Sequence, residues 1–495
     1  MTEPEAVATG SAGGEVGDVL DTAEAGRRVL TGGALRIGGY ALGLLASMAS
    51  AAVMLRYLGE IDYGKFGVVT ALITIVQFVT DLGMTTLGVR EYSQRTGEDR
   101  DRFMRVLLGM RLATTALIVS ASTALAVILG YDSEMLAGAV LLGVAAGISA
   151  LAGTIAIPLQ VEIRMGIVTG IDVARQVGTA IAYVALSVAG AGLVAFFGVS
   201  VPIYVLVLLA FYVFVRGSIP LRPEFDLDEW KRLLRPTVVF ALASAVGAIY
   251  VYGAMVLTEI VTSDLETGYF AAAFRVFIII ATFPALVAAT AFPLLSRAAR
   301  DDHDRLEYAG QKLFEGSAIL GGAALVGLVL GAEVVIDVLA GPRYEPSIPV
   351  LRIQGAALAL TFVISSFGFT LLALHRHRAI IVANLCALTV SATAVLTLGS
   401  THGALGASWG VLLGETTLAT GYLVALGALR PKPGTALRVV PAVVAALLCW
   451  FLPLPPVAIV TLGLLVYAAG LMLCRAVPDE ILELVPGRAA RSGSA

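Results

Sequence analysis

Long blocks of apolar residues, each about twenty residues in length, recur along almost the whole chain and restrict its possible folds more than any other feature. A helix of that length spans the ~30 Å hydrocarbon core of a bilayer. The alternation of apolar and polar residues that marks a membrane β-barrel is absent, so helices are the spanning elements. Charged residues make up 14% of the chain, against about 25% in soluble domains. The sequence therefore predicts an all-α membrane protein.

The apolar blocks predict about fourteen transmembrane helices. They contain many Gly, Ala, Ser and Thr residues, which is typical of membrane helices that pack closely through small side chains. The predicted spans are 34–57, 64–89, 105–129, 135–157, 167–189, 192–215, 237–260, 269–296, 315–340, 350–374, 379–399, 404–429, 438–453 and 456–474.

Basic residues are concentrated in alternate connections between the predicted spans. Basic connections remain on the cytoplasmic side of a membrane, so both termini are predicted to be cytoplasmic and the number of spans to be even. The protein is expected in the plasma membrane of a bacterium or archaeon. The basic connections contain Arg90, Arg95, Arg100, Arg102, Arg105, Arg164, Arg216, Arg222, Lys231, Arg232, Arg235, Arg297, Arg300, Arg305, Lys312, Arg376, Arg378, Arg430, Lys432 and Arg438.

The pattern of spans and polar stretches predicts two six-helix lobes followed by a hairpin. Residues 1–26 contain six acidic residues and no base, unlike the basic start of a secretory signal peptide. The predicted segments are an acidic cytoplasmic tail and juxtamembrane segment (1–33), an N-lobe (34–215), an amphipathic cytoplasmic linker (216–236), a C-lobe (237–430), a two-helix hairpin (431–478) and a cytoplasmic tail (479–495).

The two lobes share a weak internal similarity. The segment Tyr63-Gly64-Lys65-Phe66 follows the first span, and Gly268-Tyr269-Phe270 follows the seventh. Aligning Phe66 with Phe270 gives a shift of 204 residues. Repeats of this kind are typical of transporters, which rock one half against the other around a central site. The similarity therefore predicts two lobes related by pseudo-symmetry.

Several motifs carry a resemblance to one family. The first half contains Arg56-Tyr57-Leu58-Gly59 and Asp81-Leu82-Gly83, and the second contains Gly268-Tyr269-Phe270-Ala271 and Phe292-Pro293-Leu294-Leu295-Ser296. In this order they resemble the polysaccharide transporters, the O-antigen and lipid-linked oligosaccharide flippases of the multidrug/oligosaccharidyl-lipid/polysaccharide exporter superfamily. The resemblance covers roughly residues 34–430. The hairpin at 438–474 departs from the twelve-span members.

The resemblance implies a flippase that works by alternating access. Its substrate would be an undecaprenyl-type lipid-diphosphate-linked oligosaccharide, moved from the inner to the outer leaflet. Membrane lipids surround such a protein, and the glycosyltransferases and polymerase of the same pathway are its expected protein partners. It implies no cofactor and no nucleic acid.

Charged residues inside the spans are the candidate site residues, because a central Arg or Asp costs roughly 2.5–3.5 kcal/mol on insertion. A lipid diphosphate requires a cationic cavity, in which Arg replaces water through bidentate contacts. Arg275 is the first candidate, and Arg36, Arg111 and Arg56 are the others. Arg275 could instead extend to the headgroups or form a structural ion pair, Arg36 and Arg111 could extend to the headgroups, and Arg56 could anchor its span at the interface.

Two further residues are candidates for coupling and movement. Glu415 lies near the middle of the twelfth span and could couple transport to an ion, pair with a cavity Arg, or form an interhelical hydrogen bond. Pro284 removes a backbone hydrogen bond inside the eighth span and predicts a gating kink, or a tolerated bend.

Other functions fit the sequence less well. It contains no Walker loop, GxSxG, HExxH or dinucleotide motif, so no catalytic residue, metal ligand or enzyme activity is predicted. The alternatives are a cation-coupled multidrug exporter and a peptidoglycan-precursor flippase of the same superfamily. An oligosaccharide polymerase or ligase is the enzyme alternative, although such enzymes generally carry a large extracytoplasmic loop.

Overall fold

The computed structural model describes residues 23–477 apart from residues 163, 218, 221 and 236. The first half contains helices α1 (Ala23–Asp81), α2 (Met84–Gln94), α3 (Gly97–Ile128), α4 (Ser133–Ile155), α5 (Ile157–Val161), α6 (Met165–Val188), α7 (Leu193–Gly198), α8 (Ser200–Val215) and α9 (Leu227–Leu234). The second contains α10 (Val238–Val261), α11 (Asp264–Asp301), α12 (His303–Leu339), α13 (Ser347–Ala373), α14 (His377–Leu426), α15 (Gly434–Leu447) and α16 (Pro456–Leu473).

Eleven helical stretches in the described chain are long and apolar enough to cross a membrane, and two of them contain 53 residues. Each of these two is divided by a glycine with non-helical backbone, Gly59 (φ 74°) or Gly403 (φ 59°). Only glycine adopts such angles without strain. Counting each divided stretch as two spans and adding the shorter apolar helix Ala436–Phe451 gives fourteen spans. The predicted fold class, an all-α membrane protein with about fourteen spans, is confirmed.

Contacts between the two arms of α14 show that the chain reverses at Gly403. Gly410 lies against Val395, Gly414 against Ser391, and Gly421 against Ala383. As the residue number rises on one arm it falls on the other, so the arms are antiparallel. The apparent single helix is therefore two adjacent spans.

The two ends of the bundle differ in charge, and we name them by this difference. The Arg-rich end carries the connections at 95–96, 162–164, 216–226 and 374–376. The Arg-poor end carries the connections at 129–132, 189–192, 262–263, 340–346 and 452–455, together with Gly59 and Gly403.

The two lobes share one hydrophobic core toward the Arg-poor end and have separate cores toward the Arg-rich end. One hydrophobic core combines Val68 and Val69 of the N-lobe with Phe270 and Ala271 of the C-lobe. Toward the Arg-rich end each lobe has a separate core. The N-lobe core contains Phe103, Met104 and Ile157, and the C-lobe core contains Phe314, Leu371 and Ala387. Burial between the lobes is therefore greatest at the Arg-poor end.

The internal repeat is visible in the contact between the lobes. Gly67 and Ala271 are aligned by the 204-residue shift, and a Cβ on Gly67 would lie 3.2 Å from the Cβ of Ala271. Residues that are equivalent in the two lobes therefore meet near the axis that relates them, and the predicted pseudo-symmetric pair of lobes is confirmed.

The segment between the lobes is held on the N-lobe. Glu224 donates its backbone N–H to the carbonyl of Arg105 (2.9 Å), and its carboxylate accepts from the Arg105 side chain (3.3 Å). Asp226 pairs with Arg102 and caps the start of α9 by accepting from the backbone N–H of Glu229 (3.0 Å). Further along, Thr237 donates to the carbonyl of Leu82 (3.2 Å). The hairpin α15–α16 packs on α12 of the C-lobe.

Candidate functional site

Arg275 lies between the two lobes, in the first third of α11. Its Nη2 donates a hydrogen bond to the Ser47 hydroxyl in the first arm of α1, at 2.8 Å. Its Nε is buried and has no hydrogen-bond partner in the described part of the chain. A buried donor without an acceptor costs free energy, so this geometry favours an acceptor brought by a ligand.

A cavity of about 200 Å³ lies beside the Arg275 guanidinium. Both lobes form its walls, because α1 and α6 belong to the N-lobe and α11 to the C-lobe. The amide of Gln176 lines the cavity and also donates to Asp172 (3.3 Å), which pairs with Arg175 (2.7 Å). The cavity is lined by Leu44, Ser47, Gln176, Arg275, Ile278, Ile279 and Thr282.

A layer of aromatic rings closes the protein on the Arg-poor side of this cavity. Phe66 stacks on Phe197 with ring centroids 5.3 Å apart and meets Tyr183 edge-on at 6.2 Å. On the C-lobe side, Phe270 stacks on Phe274 at 5.6 Å. Rings in such pairs bury large apolar areas and hold specific geometry. The cavity is therefore sealed toward the Arg-poor end.

Arg56 joins the lobes at the Arg-poor end. Its Nη2 donates to the backbone carbonyls of Asp337 (3.1 Å) and Val338 (2.8 Å), in the last turn of α12. The Asp337 carbonyl also accepts from the backbone N–H of Gly341 (3.1 Å), and a cation beside the last carbonyls of a helix is favoured by the helix dipole. Next to it, the Tyr344 hydroxyl donates to the carbonyl of Leu55 (3.4 Å). Arg56 is therefore a contact between the lobes and lies outside the Arg275 cavity.

Arg111 lies inside the N-lobe, where it is 2% exposed. Its guanidinium pairs with Asp81 at 2.8 Å and donates to Thr154 (2.9 Å) and Thr85 (3.1 Å). Because Asp81 balances its charge and each guanidinium nitrogen donates a hydrogen bond, the structure favours a buried ion pair for Arg111, which the sequence did not suggest, over a cavity role.

Glu415 lies within the C-lobe, where it is 5% exposed. Its carboxyl group accepts from the Tyr250 hydroxyl (2.9 Å) and the Thr361 hydroxyl (3.0 Å). Beside it is a small cavity of about 10 Å³, which has room for roughly one water molecule and is also lined by Ser391. Its described partners are hydroxyls, and the structure does not bring Glu415 to Arg275.

The last two candidates differ in how far the structure describes them. The side chain of Arg36 lies outside the described residues, so its role in the cavity stays a prediction.

Helix α11 continues unbroken through Pro284, which stands two residues beyond the cavity residue Thr282. The proline has no N–H to donate to the carbonyl of Ile280. The helix therefore lacks one backbone hydrogen bond on the Arg-rich side of the cavity.

Of the seven cavity residues only Arg275 was predicted from the sequence, and Ser47 and Gln176 are two of the polar ones that were not. Ser47 stands in a block rich in small residues, where a hydroxyl is usually a packing feature. Gln176 could have been identified more easily. An amide inside a predicted span is costly in the membrane and therefore indicates a functional or structural partner. The sequence does not show that both side chains line one cavity with Arg275, since the three residues come from different helices.

Solved structures of two kinds of transporter share this fold. The lipid II flippase MurJ in an inward closed conformation has a TM-score of 0.72 at 12% identity, covering 89% of this chain and 99% of that chain. An inward-facing multidrug resistance MATE family transporter of the MOP superfamily has a TM-score of 0.68 at 15% identity, covering 80% of this chain and 98% of that chain. An outward-facing one has a TM-score of 0.56 at 17% identity, covering 79% and 93%.

Sequence comparison assigns the family. No functionally curated protein matches the chain. The sequence profile of one family, described as "Polysaccharide biosynthesis protein", matches residues 53–349, which is more than half of the chain. This segment contains the second arm of α1 and helix α11, which meet at the contact between the lobes, and it includes Arg275. The chain therefore belongs to the family of polysaccharide biosynthesis proteins.

Proposed function

We propose that this protein is a flippase that carries a lipid-diphosphate-linked oligosaccharide from the inner to the outer leaflet of the plasma membrane. The observation that carries the proposal is the Arg275 guanidinium, held by Ser47 in a cavity between two lobes, with a buried Nε that lacks a partner in the described residues. Membership of the polysaccharide biosynthesis family supports a glycan substrate.

The chemistry of the cavity suits a diphosphate. A diphosphate entering it must lose water, and a guanidinium replaces that water with short charge-assisted hydrogen bonds. The Gln176 amide and the Ser47 hydroxyl supply neutral donors beside it. The sugars would occupy the gap between the lobes, and the polyprenyl chain would stay in the bilayer.

The charge of the two ends indicates how the protein is oriented in the membrane. Basic connections stay in the cytoplasm, so we assign the Arg-rich end and both termini to the cytoplasmic side. The end at which the lobes have separate cores then faces the cytoplasm, and the Arg56 contact and the aromatic layer close the opposite side. Transport requires this closed side to separate while the lobes come together at the Arg-rich end.

Two other transported substrates give different expectations. A carrier for cationic drugs needs carboxylates in its cavity, whereas the cavity residues described here include a guanidinium and no carboxylate. A flippase for a peptidoglycan precursor handles the same diphosphate chemistry, and the MurJ structure, a lipid II flippase, shares this fold. The family match favours the polysaccharide precursor of these two.

The enzyme alternative has less support from the connections. A polymerase or ligase generally carries a large extracytoplasmic loop, and the connections described at the Arg-poor end are short, for example residues 340–346. The fold is that of a transporter, and we propose no catalytic residue.

Arg275→Ala and Arg275→Lys in the full chain, reconstituted into liposomes, test the proposal. The substrate is a fluorescent undecaprenyl-diphosphate oligosaccharide in one set of vesicles and the lipid-linked peptidoglycan precursor in another. The readout is protection of the label from a membrane-impermeant reductant. We expect Arg275→Ala to slow flipping of the oligosaccharide lipid by about tenfold or more, and Arg275→Lys to slow it less.

Arg343→Gln is the matched control, because Arg343 is an exposed arginine at the Arg-poor end. It should flip lipid at the wild-type rate. Wild-type flipping by Arg275→Ala would remove Arg275 from the site. If the wild-type protein flips only the peptidoglycan precursor, the proposed substrate is wrong and the flippase assignment stands.

A further inference from the structure

A second and larger cavity, a cleft of about 680 Å³, opens at the Arg-poor end of the C-lobe. Its walls are the last turns of α12, the first turns of α13 and the start of α16. It therefore lies where the C-terminal hairpin meets the C-lobe, and its lining is separate from that of the Arg275 cavity.

Arg352 provides the cationic group of this cleft. Its guanidinium lies over the Trp450 ring, 4.0 Å from the ring centroid, and this contact joins α13 to the end of α15. Its Nε is buried and has no hydrogen-bond partner in the described residues. Stacking on tryptophan holds the plane of a guanidinium while leaving its edge able to donate. The cleft therefore contains a positioned donor for an anionic oxygen.

The same cleft carries more negative than positive charge. Glu333, Asp337 and Glu345 line it together with Arg352. A simple anion would meet three carboxylates and one guanidinium, so its binding would be weakened by repulsion. A metal ion is not favoured either, because no three acidic, His or Cys side chains in the described chain lie close enough to hold one. The charges fit a ligand that carries both signs.

We infer that this cleft binds the head group of a phosphatidylethanolamine-type lipid from the leaflet at the Arg-poor end. The phosphodiester accepts from Arg352, and the primary ammonium donates to the carboxylates of the rim. The acyl chains lie along the apolar wall, where Val457 is 63% exposed and Ile348 and Pro456 line the cleft. The inference does not depend on the proposed transport substrate.

The same chemistry predicts which lipids the cleft rejects. Phosphatidylglycerol offers the phosphate but no cation, so the carboxylates repel it. Phosphatidylcholine is zwitterionic, but its quaternary ammonium has no N–H to donate. We expect the order ethanolamine, then choline, then glycerol.

Native mass spectrometry of the full chain in detergent measures this selectivity. The protein is mixed with equal amounts of the three lipids, and bound lipid is compared between variants. We expect Arg352→Gln to weaken phosphatidylethanolamine binding by about tenfold, and the exposed-arginine control Arg343→Gln to leave it unchanged. Equal binding by Arg352→Gln and Arg343→Gln would overturn the inference.

A second variant keeps the test decisive if Arg352→Gln folds poorly. The double variant Glu333→Gln, Glu345→Gln removes two negative charges, so it should gain phosphatidylglycerol and lose its preference for phosphatidylethanolamine. An unchanged preference in this variant would exclude a role for the carboxylates.

Addition of inorganic phosphate distinguishes a lipid from a free anion. If millimolar phosphate displaces phosphatidylethanolamine, the cleft recognises free phosphate and the lipid assignment is wrong.

Discussion

Gly64 and Gly268 contact each other across the junction of the two lobes. A Cβ on Gly64 would lie 3.0 Å from the backbone nitrogen of Gly268, and a Cβ on Gly268 would collide with the carbonyl of Glu60. The two glycines are also equivalent in the 204-residue repeat. The crossing of the second arm of α1 with α11 therefore depends on the absence of two side chains at matching positions.

Gly268→Val should prevent the lobes from closing at the Arg-poor end. The added side chain overlaps backbone, and overpacking of this kind costs about 1–3 kcal/mol. We expect the distance between spin labels at Ala189 and Thr401, introduced as cysteines on a cysteine-free background, to lengthen in most molecules. Gly327→Val is the control, since a Cβ there meets nothing within 4 Å. An unchanged distance distribution would show that the crossing does not hold this end closed.

Arg56→Gln should weaken the same closure without overlap. It removes donation to the carbonyls of Asp337 and Val338. Because Arg56 is exposed, we expect a loss of about 1 kcal/mol, which is a shift of roughly fivefold toward the separated state. The same pair of spin labels reports it, with Arg343→Gln as the matched control. If both variants give the same populations, the contact with α12 contributes nothing to closure.

Arg111→Met should lower stability and leave the transport chemistry intact. The substitution leaves the Asp81 carboxylate, which is one-third exposed, without its cation. We expect this to lower the free energy of unfolding by about 2–3 kcal/mol. We expect a lower thermal unfolding midpoint in detergent and recovery in the double variant Asp81→Leu, Arg111→Met. The flipping assay distinguishes the alternatives. If the double variant is stable but no longer flips lipid, Arg111 takes part in transport as a cavity cation.

Glu415→Gln tests whether this carboxyl group couples transport to an ion. The amide keeps an oxygen that accepts from Tyr250 and Thr361, so the fold should survive. We expect flipping to continue and its stimulation by an imposed proton or sodium gradient to disappear. Glu415→Asp, which restores the charge, should recover part of the stimulation. Full stimulation in Glu415→Gln would leave Glu415 as an interhelical hydrogen-bond acceptor.

Asp132 gives the N-lobe a pH dependence at the Arg-poor end. Burial raises the pKa of its carboxyl, but the hydrogen bonds from Lys65 and from the backbone N–H of Met135 outweigh it and hold the pKa below its ordinary 3.8. A lowered pKa adds stability above the unfolded-state pKa, and this stability is lost as the pH falls through the folded-state pKa.

Lys65→Met measures this contribution. Asp132 is 44% exposed, so we expect a loss of under about 1 kcal/mol at pH 7. The difference between Lys65→Met and wild type should shrink as the pH falls below about 4, as the carboxyl takes up a proton. Denaturant unfolding at several pH values gives the comparison. A difference that stays constant from pH 7 to pH 3 would contradict the assignment.

The lengths of the apolar blocks and the 204-residue repeat were enough to predict the spans and the two lobes. Both are local or periodic features, and the bilayer imposes them through its thickness and its lack of water. The bends at Gly59 and Gly403 were less evident. The structure has helix immediately before and after each glycine, so the connection is a single residue. The spacing of the apolar blocks instead predicts a connection of several residues at both places.

The candidate site could be predicted only in part, because depth in the membrane does not identify a partner. Arg275 and Arg111 satisfy the same sequence criterion, yet Arg111 meets Asp81 on the neighbouring span and Arg275 meets Ser47, 228 residues away. The partner of Glu415, Tyr250, is 165 residues away. Such pairings depend on how the helices rotate and tilt, and no local pattern records them.

The contact of the linker with the N-lobe shortens the tether between the two moving halves. Residues Glu224 and Asp226 are fixed to α3 through Arg105 and Arg102, so α9 travels with the first half. The tether between α9 (Leu227–Leu234) and α10 (Val238–Val261) is short in sequence, and Thr237 also contacts Leu82 of the first half. Because a chain of n residues spans at most about 3.6 Å × n, so short a tether keeps the adjoining ends of the two halves close together in any conformation.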